Sequence, residues 1–338
     1  MALGKKSKKQ EILSAICEVI RDYRVGEVEP QTPDSVERWL CQFDEDEATK
    51  LTFLEEVHHV LSKTYFSKKR VKSFLSGLAQ TEALVGKDPA KFWKDANVLN
   101  IQQRGHSQQE LRQLLAEIIE KKFGIKIKNS DEAKGPPIYL DDAIFTGTHV
   151  IGDVSDWLPG AAENSVLHIA AVAVYSAGEY NINKKLPAII QEHGKQLRYS
   201  IWRSVNYQNY STSGAETDVL RLKEYPNDDA SQQFLEQFGD GKPPALLRPN
   251  VPNTSSLFSS EDRRDLIERV FWKAGLQIRE RCPYLKVMHR PLGYTTTNSQ
   301  NKLGFGSFFV SYRNCPNNAP LALWVGDPWF PLVERKIN

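Results

Sequence analysis

The sequence predicts an α/β protein in which a helical N-terminal domain precedes a domain with a mainly parallel sheet flanked by helices. Two observations lead to this prediction. In the first third of the chain, apolar residues recur at the spacing of helices with one buried face. After Gly124, apolar runs rich in β-branched residues alternate with helical stretches, and a β-α-β-α-β succession implies parallel strands. We place the boundary after residue 130, so the predicted domains are 1–130 and 131–338.

The N-terminal domain is predicted to be mostly helical. Ser107 and Glu110 have the spacing of a capping box at the start of its last helix, and Gly124 stands where that helix should stop. Ile125–Ile127 is a short strand candidate. The predicted helices are Glu11–Arg21, a helix capped by Asp34, Asp46–Tyr65, Lys68–Leu78, Pro89–Ala96 and Ser107–Phe123.

The second domain supplies the predicted sheet. Val166–Tyr175 is rich in β-branched residues, which is typical of a central strand buried on both faces. A late helix is predicted to stop at Gly275, because glycine often follows a helix C-terminus. The predicted elements are strand Pro137–Leu140, helix Thr148–Leu158, strand Val166–Tyr175, helix Lys184–Gln196, strand Arg198–Val205 and helix Ser260–Ala274.

The composition is that of an ordinary globular protein. Hydrophobic residues make up 40% and charged residues 25% of the 338 residues, and the net charge of +2 indicates no particular partner. The four cysteines are far apart and form no C-x-x-C pair, which predicts neither a zinc site nor a disulfide framework. No apolar run is long enough to span a bilayer, and the first residues contain no secretory segment. We therefore expect a cytoplasmic protein without a membrane partner.

One segment combines two kinds of ligand-binding chemistry. Asp141 and Asp142 follow the predicted strand Pro137–Leu140, at the end of the strand where open α/β sheets bind ligands. Thr146-Gly147-Thr148 then opens a helix, whose first N–H groups and dipole favour a phosphate. Carboxylates accept hydrogen bonds from vicinal hydroxyls such as those of ribose. The segment therefore predicts a site for a ribose 5-phosphate, and the alternative is a buried βα turn with two solvated aspartates.

The segment from Ile138 to His149 resembles the diphosphosugar-binding motif of type I phosphoribosyltransferases. The resemblance implies that Asp141 and Asp142 hold the ribose hydroxyls, directly or through Mg²⁺, and act at the catalytic centre. It also implies that Thr146, Gly147, Thr148 and His149 hold the 5-phosphate. Thr148 stands where that family usually has a second glycine, and His149 where it usually has threonine.

Further segments resemble a narrower group, the phosphoribosyltransferase-like proteins of bacterial anti-phage systems, including retron loci. The resemblance implies a toxin effector that works with a reverse transcriptase or an RNA–DNA complex. The segments are Trp39–Phe43, Ser107–Leu111, Pro291–Tyr294, Gly304–Ser307, Tyr312–Asn318, Leu323-Trp324 and Trp329–Leu332. Active type I enzymes also have a pyrophosphate-binding loop before the motif, and the residues before Pro137 contain no clear one. Either Gly304–Ser307 and Arg313 supply the diphosphate contact, or the loop is absent.

Three functions remain open from the sequence. In the first, the protein binds phosphoribosyl diphosphate or a nucleotide and cleaves or transfers at C1 of the ribose. In the second, the same pocket is a nucleotide sensor or assembly module without turnover, and the N-terminal helices dock a partner protein or nucleic acid. In the third, the basic clusters Lys5–Lys9 and Lys68–Arg70 bind DNA, and binding would fall steeply with salt.

Overall fold

The chain divides into two compact units. The computed structural model describes residues 7–103, 105–128, 135–209, 217–237, 247–248, 255–295 and 303–336. Among these, the first unit consists of residues from Met1–Ser67 and Asn209–Ile337, and the second unit of residues from Lys68–Gln208. The predicted boundary after residue 130 falls inside the second unit, because helix and strand on either side of it pack together there.

The first unit is helical and joins the two ends of the chain in one core. Its helices are α1 (Lys8–Val19), α2 (Pro33–Cys41), α3 (Glu47–Thr64), α10 (Asp229–Glu236), α11 (Glu261–Arg281) and α12 (Leu321–Trp324). Short strands β1 (Tyr65–Phe66) and β8 (Val310–Ser311) pair in parallel, and β6 (His289–Arg290) pairs antiparallel with β7 (Gly293–Tyr294). Buried aromatic rings of Trp39, Phe53 and Phe271 meet in its core.

The second unit contains the predicted parallel sheet. Its strands are β2 (Asn97–Val98), β3 (Pro137–Ile144), β4 (Val166–Tyr175) and β5 (Arg198–Tyr207), in the order β2-β3-β4-β5 with every neighbouring pair parallel. Its helices are α4 (Lys68–Leu78), α5 (Glu82–Val85), α6 (Pro89–Asp95), α7 (Ser107–Phe123), α8 (Thr148–Trp157) and α9 (Ser176–Glu192). The α/β prediction is confirmed, and the strand predicted at Val166–Tyr175 has those bounds.

Helices flank this sheet and fix the position of its strands. Helix α7 packs against β3, and α9 packs against α8 and β4. Apolar side chains from α8 (Val150, Val154) and α9 (Ile182, Leu186) share one buried cluster with the strands. Each buried aliphatic side chain stabilises the fold by about 1.5–3 kcal/mol relative to exposure.

Some local predictions were wrong. Helix α11 runs through Gly275 to Arg281, because Gly275 is a point of close contact and not a stop: a Cβ there would lie 2.5 Å from the Cα of Pro291. Ser107 does not cap α7, since the N-cap residue is His106 and the Ser107 hydroxyl bonds elsewhere. The strand before α7 is Asn97–Val98, whereas Ile125–Ile127 has no strand structure.

Helix ends elsewhere follow ordinary rules. Thr32, and not Asp34, caps α2 through a capping box with Ser35. Gly124 ends α7 in the left-handed conformation with φ 67°, as predicted. Among the described helices, none combines the length and apolar character that crossing a bilayer would require.

Candidate functional site

The acidic pair lies within a strand. Strand β3 continues to Ile144, four residues beyond the predicted end at Leu140, and Asp141 is in register with Ala171 of β4. The prediction that the pair follows the strand was therefore wrong, although it still lies near the carboxyl end of β3. Because β2, β3, β4 and β5 are parallel, the segments that follow them meet at this edge of the sheet.

Gly147 sets the path of the chain from β3 into α8. It is the N-cap residue of α8 and has φ 74°, a conformation that side-chain-bearing residues rarely adopt. A Cβ at this position would also lie 2.7 Å from the carbonyl oxygen of Gly178 and 2.8 Å from Cγ1 of Ile182. Both the backbone conformation and the close approach of α9 require glycine here.

The hydroxyl groups of the loop lie at the start of α8. The Thr146 and Thr148 hydroxyl oxygens are 3.1 Å apart, and the Thr148 N–H donates to the Thr146 hydroxyl at 3.4 Å. The Asn181 side-chain amide of α9 donates to the Thr146 carbonyl at 2.8 Å and so holds the loop. Thr146, Thr148 and His149 are exposed. A threonine pair beside a helix N-terminus can donate hydrogen bonds to an anion.

Asp141 and Asp142 have different surroundings. Asp141 is only 7% exposed, while Asp142 is half-buried. One Asp141 oxygen accepts from the Ser107 hydroxyl at 2.9 Å and from the Asp142 N–H at 2.8 Å. Burial raises the pKa of the Asp141 carboxyl well above its usual range, and the nearby charge of Asp142 raises it further. The pair thus contains a buried and a more accessible carboxyl group.

A loop that the sequence prediction missed lies beside the acidic pair. It follows β2 and comprises residues 99–106, and the position of Arg104 lies outside the described residues. The Gln103 N–H donates to Asp153 of α8 at 3.1 Å, and Asp153 also accepts from the buried Tyr139 hydroxyl at 2.7 Å. The loop follows β2, the neighbour of β3 in the parallel sheet. It therefore lies at the same carboxyl edge of the sheet as the acidic pair. We name it the β2 loop.

Only a short sequence pattern indicates this loop. Strand β2 has two residues, too few for a pattern, but Gly105 adopts φ 89° and follows three long polar side chains, Gln102-Gln103-Arg104. A polar, glycine-containing segment that precedes a helix is typical of an anion-binding loop.

The other diphosphate candidates lie in the first unit. Gly304 and Gly306 are buried, and a Cβ at Gly306 would lie 2.1 Å from the carbonyl oxygen of Leu220. The Gly306 N–H donates to Leu292 and the Ser307 N–H to Asn318, so this segment uses these amides within its own fold. Arg313 is half-buried in the turn between Ser311 and Asn314. Its predicted contact with a diphosphate stays a prediction.

Asp228 and two lysines of the Lys5–Lys9 cluster have structural partners. Asp228 caps α10 by accepting from the Ser231 N–H at 2.8 Å, which agrees with a turn and not a ligand site. Lys9 lies 2.9 Å from Glu37, and Lys8 pairs with Glu55. Lys5 and Lys6 lie outside the described residues.

The described residues contain no preformed set of protein ligands for Mg²⁺. Within the described ranges, no three His, Cys, Asp or Glu side chains are grouped to hold a metal ion. Asp142 is the more exposed carboxyl group of the pair, since it is half-buried whereas Asp141 is 7% exposed. One carboxylate is enough for Mg²⁺ that arrives bound to substrate phosphates, since this ion keeps several waters and few protein ligands. The residues fit that mode of binding.

The parallel sheet, the glycine-threonine loop after β3 and the flanking helices define a phosphoribosyltransferase-like protein. The model of the PRTase-CE family matches residues 36–335, and the chain belongs to this family. No curated protein matches the sequence at a significant level.

Proposed function

We propose that the protein binds a phosphoribosyl compound at the carboxyl edge of its parallel sheet and cleaves or transfers at C1 of the ribose. One observation carries the proposal: the half-buried Asp142 near the end of β3 and the exposed threonines at the start of α8 belong to one continuous strand–turn–helix segment. In this proposal the 5-phosphate lies at Thr146, Gly147, Thr148 and His149, and the ribose hydroxyls lie near Asp142. Membership of the PRTase-CE family supports this assignment.

The β2 loop is proposed to contact the leaving diphosphate. It ends at the same sheet edge as the motif and is fixed to the motif helix by the Gln103–Asp153 hydrogen bond. When bound, Mg²⁺ would lower the negative charge of the diphosphate, with Asp142 as its protein ligand.

The reaction at C1 needs placement more than a protein nucleophile. With phosphoribosyl diphosphate as substrate, the bond from C1 to the diphosphate oxygen breaks and the diphosphate leaves with the bonding electrons. A base nitrogen or water then bonds to C1 and loses its proton. The intermediate state resembles an oxocarbenium ion, which a nearby carboxylate such as Asp142 stabilises. Holding donor and acceptor in line supplies most of the remaining acceleration.

A sensor without turnover is the second candidate. The observation that favours it is the buried, hydrogen-bonded state of Asp141, which makes Asp142 the more exposed carboxyl group of the pair. Such a pocket suits reversible binding of a nucleotide, and the bound state would then be read by a partner. Prolonged incubation of the best ligand with folded protein separates the two candidates, since an enzyme forms product and a sensor does not.

The biological role is proposed from the sequence resemblance. We propose an effector of an anti-phage system whose partner is a reverse transcriptase or an RNA–DNA complex. Expression of the chain with and without such a partner tests this role. Growth arrest by the wild type, and its absence with the double variant Asp141→Asn, Asp142→Asn, is the expected result.

Calorimetry with Mg²⁺ tests the binding site itself. Phosphoribosyl diphosphate and common nucleotides are titrated into the wild type and the double variant. We expect binding to the wild type and a loss of at least about tenfold in affinity in the variant, because charge-assisted hydrogen bonds contribute about 1.5–3 kcal/mol. Equal affinity in both proteins, or no binding to folded wild type, would refute the proposed site.

A further inference from the structure

The two aspartates of the motif differ in burial, since Asp142 is half-buried and Asp141 is almost fully buried. Asp141 has 7% of its surface exposed, and the oxygen Oδ1 accepts from the Ser107 hydroxyl at 2.9 Å and from the Asp142 N–H at 2.8 Å. Ser107 is 7% exposed and begins α7, immediately after the β2 loop. A buried carboxyl group with these partners has little surface left for a ligand.

The Ser107 hydroxyl connects Asp141 to a ring of hydrogen bonds that shapes the β2 loop. The Gln102 side-chain amide donates to the Ser107 hydroxyl at 2.7 Å, and its carbonyl accepts from the Gln108 N–H at 3.1 Å. The Gln108 carbonyl in turn accepts from the N–H groups of Ile101 at 2.5 Å and Gln102 at 2.9 Å. Gln108 is fully buried, and its amide also donates to the Leu140 carbonyl at 3.4 Å.

These hydrogen bonds hold the β2 loop. The N–H groups of the half-buried Ile101 and Gln102 both pair with the Gln108 side chain, and amides removed from water without a partner are destabilising. Because Ser107 and Gln108 are adjacent, the bond from Ser107 to Asp141 also fixes where Gln108 lies. Loss of that bond would loosen the attachment of the loop to β3 and leave the hydrogen bonds at the phosphate end of the motif in place.

We propose that Asp141 is a positioning residue that holds the β2 loop through Ser107, and that Asp142 is the one carboxyl group of the pair that contacts the ligand. The second half of this assignment rests on the proposed function. The first half depends on the protein alone. Burial of Asp141 agrees with it, because a neutral carboxyl group and a carboxylate both accept the Ser107 hydrogen bond.

Two ligands separate the roles by calorimetry. Ribose 5-phosphate has the hydroxyls and the phosphate but no diphosphate, whereas phosphoribosyl diphosphate has all three. Ser107→Ala and Asp141→Ala are expected to lower the affinity for phosphoribosyl diphosphate by at least about tenfold. The same variants are expected to lower the affinity for ribose 5-phosphate by less than about twofold. Asp142→Asn is expected to weaken both ligands. Equal losses for both ligands in Ser107→Ala would overturn the proposal.

Conservative variants at positions 107 and 141 are expected to retain the affinity for phosphoribosyl diphosphate that the alanine variants lose. Asparagine at position 141 keeps the Oδ1 acceptor, so Asp141→Asn is expected to restore phosphoribosyl diphosphate affinity to within about threefold of wild type. Ser107→Thr keeps the hydroxyl and is expected to do the same. A ribose contact made by the Asp141 carboxylate would instead be lost in Asp141→Asn, and that result would overturn the assignment.

Hydrogen exchange tests the positioning role without a ligand. In Ser107→Ala, the amides of Ile101, Gln102 and Gln103 should exchange at least about tenfold faster than in wild type, while those of β4 stay unchanged. Ser165→Ala is the matched control, because its hydroxyl donates only to the nearby Ala162 carbonyl at an exposed site. Unchanged exchange in folded Ser107→Ala overturns the positioning role. Wild type that binds neither ligand refutes the proposed function, and the exchange result then decides the positioning role alone.

Discussion

Gly147 and Gly178 are in mutual contact across the two helices that follow β3 and β4. A Cβ at Gly147 would lie 2.7 Å from the carbonyl oxygen of Gly178, and a Cβ at Gly178 would lie 2.6 Å from the carbonyl oxygen of Phe145. Real Cβ atoms do not approach backbone so closely. The turn that carries Thr146 and Thr148 is therefore held against the first turn of α9 by two glycines, one on each side.

Gly147→Ala should destabilise the protein and weaken phosphate binding. Alanine would need a strained φ of 74° and would collide with Gly178, which together cost about 2–4 kcal/mol. Gly152→Ala is the control, since nothing lies within 4 Å of a Cβ at that position of α8. We expect the control to be neutral or up to about 1 kcal/mol more stable in urea unfolding. Equal stability of the two variants would contradict the packing argument.

Asn181→Ala should lower the affinity for phosphate although Asn181 is not proposed to contact the phosphate. Its amide donates to the Thr146 carbonyl at 2.8 Å, and loss of that bond frees the loop, for which we expect a three- to tenfold weaker binding of ribose 5-phosphate. Asn183→Ala, on the same helix, removes only an acceptor for the Tyr199 hydroxyl at 3.0 Å. Calorimetry on both variants checks this, and a similar loss in Asn183→Ala would speak against a specific role of Asn181.

Gly275→Ala should destabilise the first unit although alanine favours helices. The new Cβ would meet the Pro291 backbone at 2.5 Å, so α11 or the Pro291 segment must shift at a cost of about 1–3 kcal/mol. Gly77→Ala in α4 has open space and should gain up to about 1 kcal/mol. Thermal or urea unfolding of the two variants gives the comparison, and a stabilising Gly275→Ala would show that the contact is not tight.

Glu268→Gln should be strongly destabilising. Glu268 is 1% exposed and accepts from Arg264 at 2.8 Å, from Arg248 at 2.9 Å and from the Arg221 N–H at 3.0 Å. Loss of its charge removes the carboxylate that pairs with the fully buried Arg264, which costs about 3–5 kcal/mol, while Arg248 keeps its ion pairs with Glu261 and Asp265. Glu47→Gln, at an exposed ion pair with Lys9, should have little effect in the same unfolding measurement. Similar small effects at both positions would refute the buried-charge argument.

The stability of the first unit should fall as the pH is lowered from about 6.5 to 4. Burial, followed by the charges of Arg335, Lys286 and Arg279, lowers the pKa of His289 to about 4. The unfolded chain binds this proton near pH 6.5 and the folded chain only near pH 4, so the stabilisation is present above 6.5 and is lost as the pH falls.

His289→Asn isolates this effect. The difference in free energy of unfolding between wild type and His289→Asn should change by about 1–2 kcal/mol over that pH range, less than the full pKa difference because the ring is partly exposed. Chemical denaturation at pH 7.5, 5.5 and 4 gives the values. A difference that does not depend on pH would show that His289 titrates normally.

The sequence predicts the central strand β4 correctly but does not predict the short strand β2. Strand β4 was predicted with its observed bounds because ten successive residues are suited to a buried strand. Strand β2 has two residues and owes its structure to pairing with Pro137 and Ile138, which no local pattern records. The β2 loop was missed with it.

The same limit applies to the motif. The loop and helix could be predicted because the residues from Asp141 to Thr148 are contiguous in the chain. The glycine at position 147 also indicates a turn by itself. The local spacing predicts a helix cap at Ser107, because its partner Asp141 lies 34 positions later in the chain. The local sequence predicts a helix stop at Gly275, because it does not show the Pro291 backbone that excludes a side chain there.

The first unit draws on both ends of the chain, and this has a consequence for synthesis on the ribosome. The Trp39 indole donates to the Ala322 carbonyl, which lies 283 residues later. At about 5–20 residues per second, Trp39 emerges roughly 14–57 s before its partner is made. The contiguous second unit can fold during that interval. The apolar stripes of α1, α2 and α3 must meanwhile stay unaggregated, which makes the nascent N-terminal segment a natural client for chaperones.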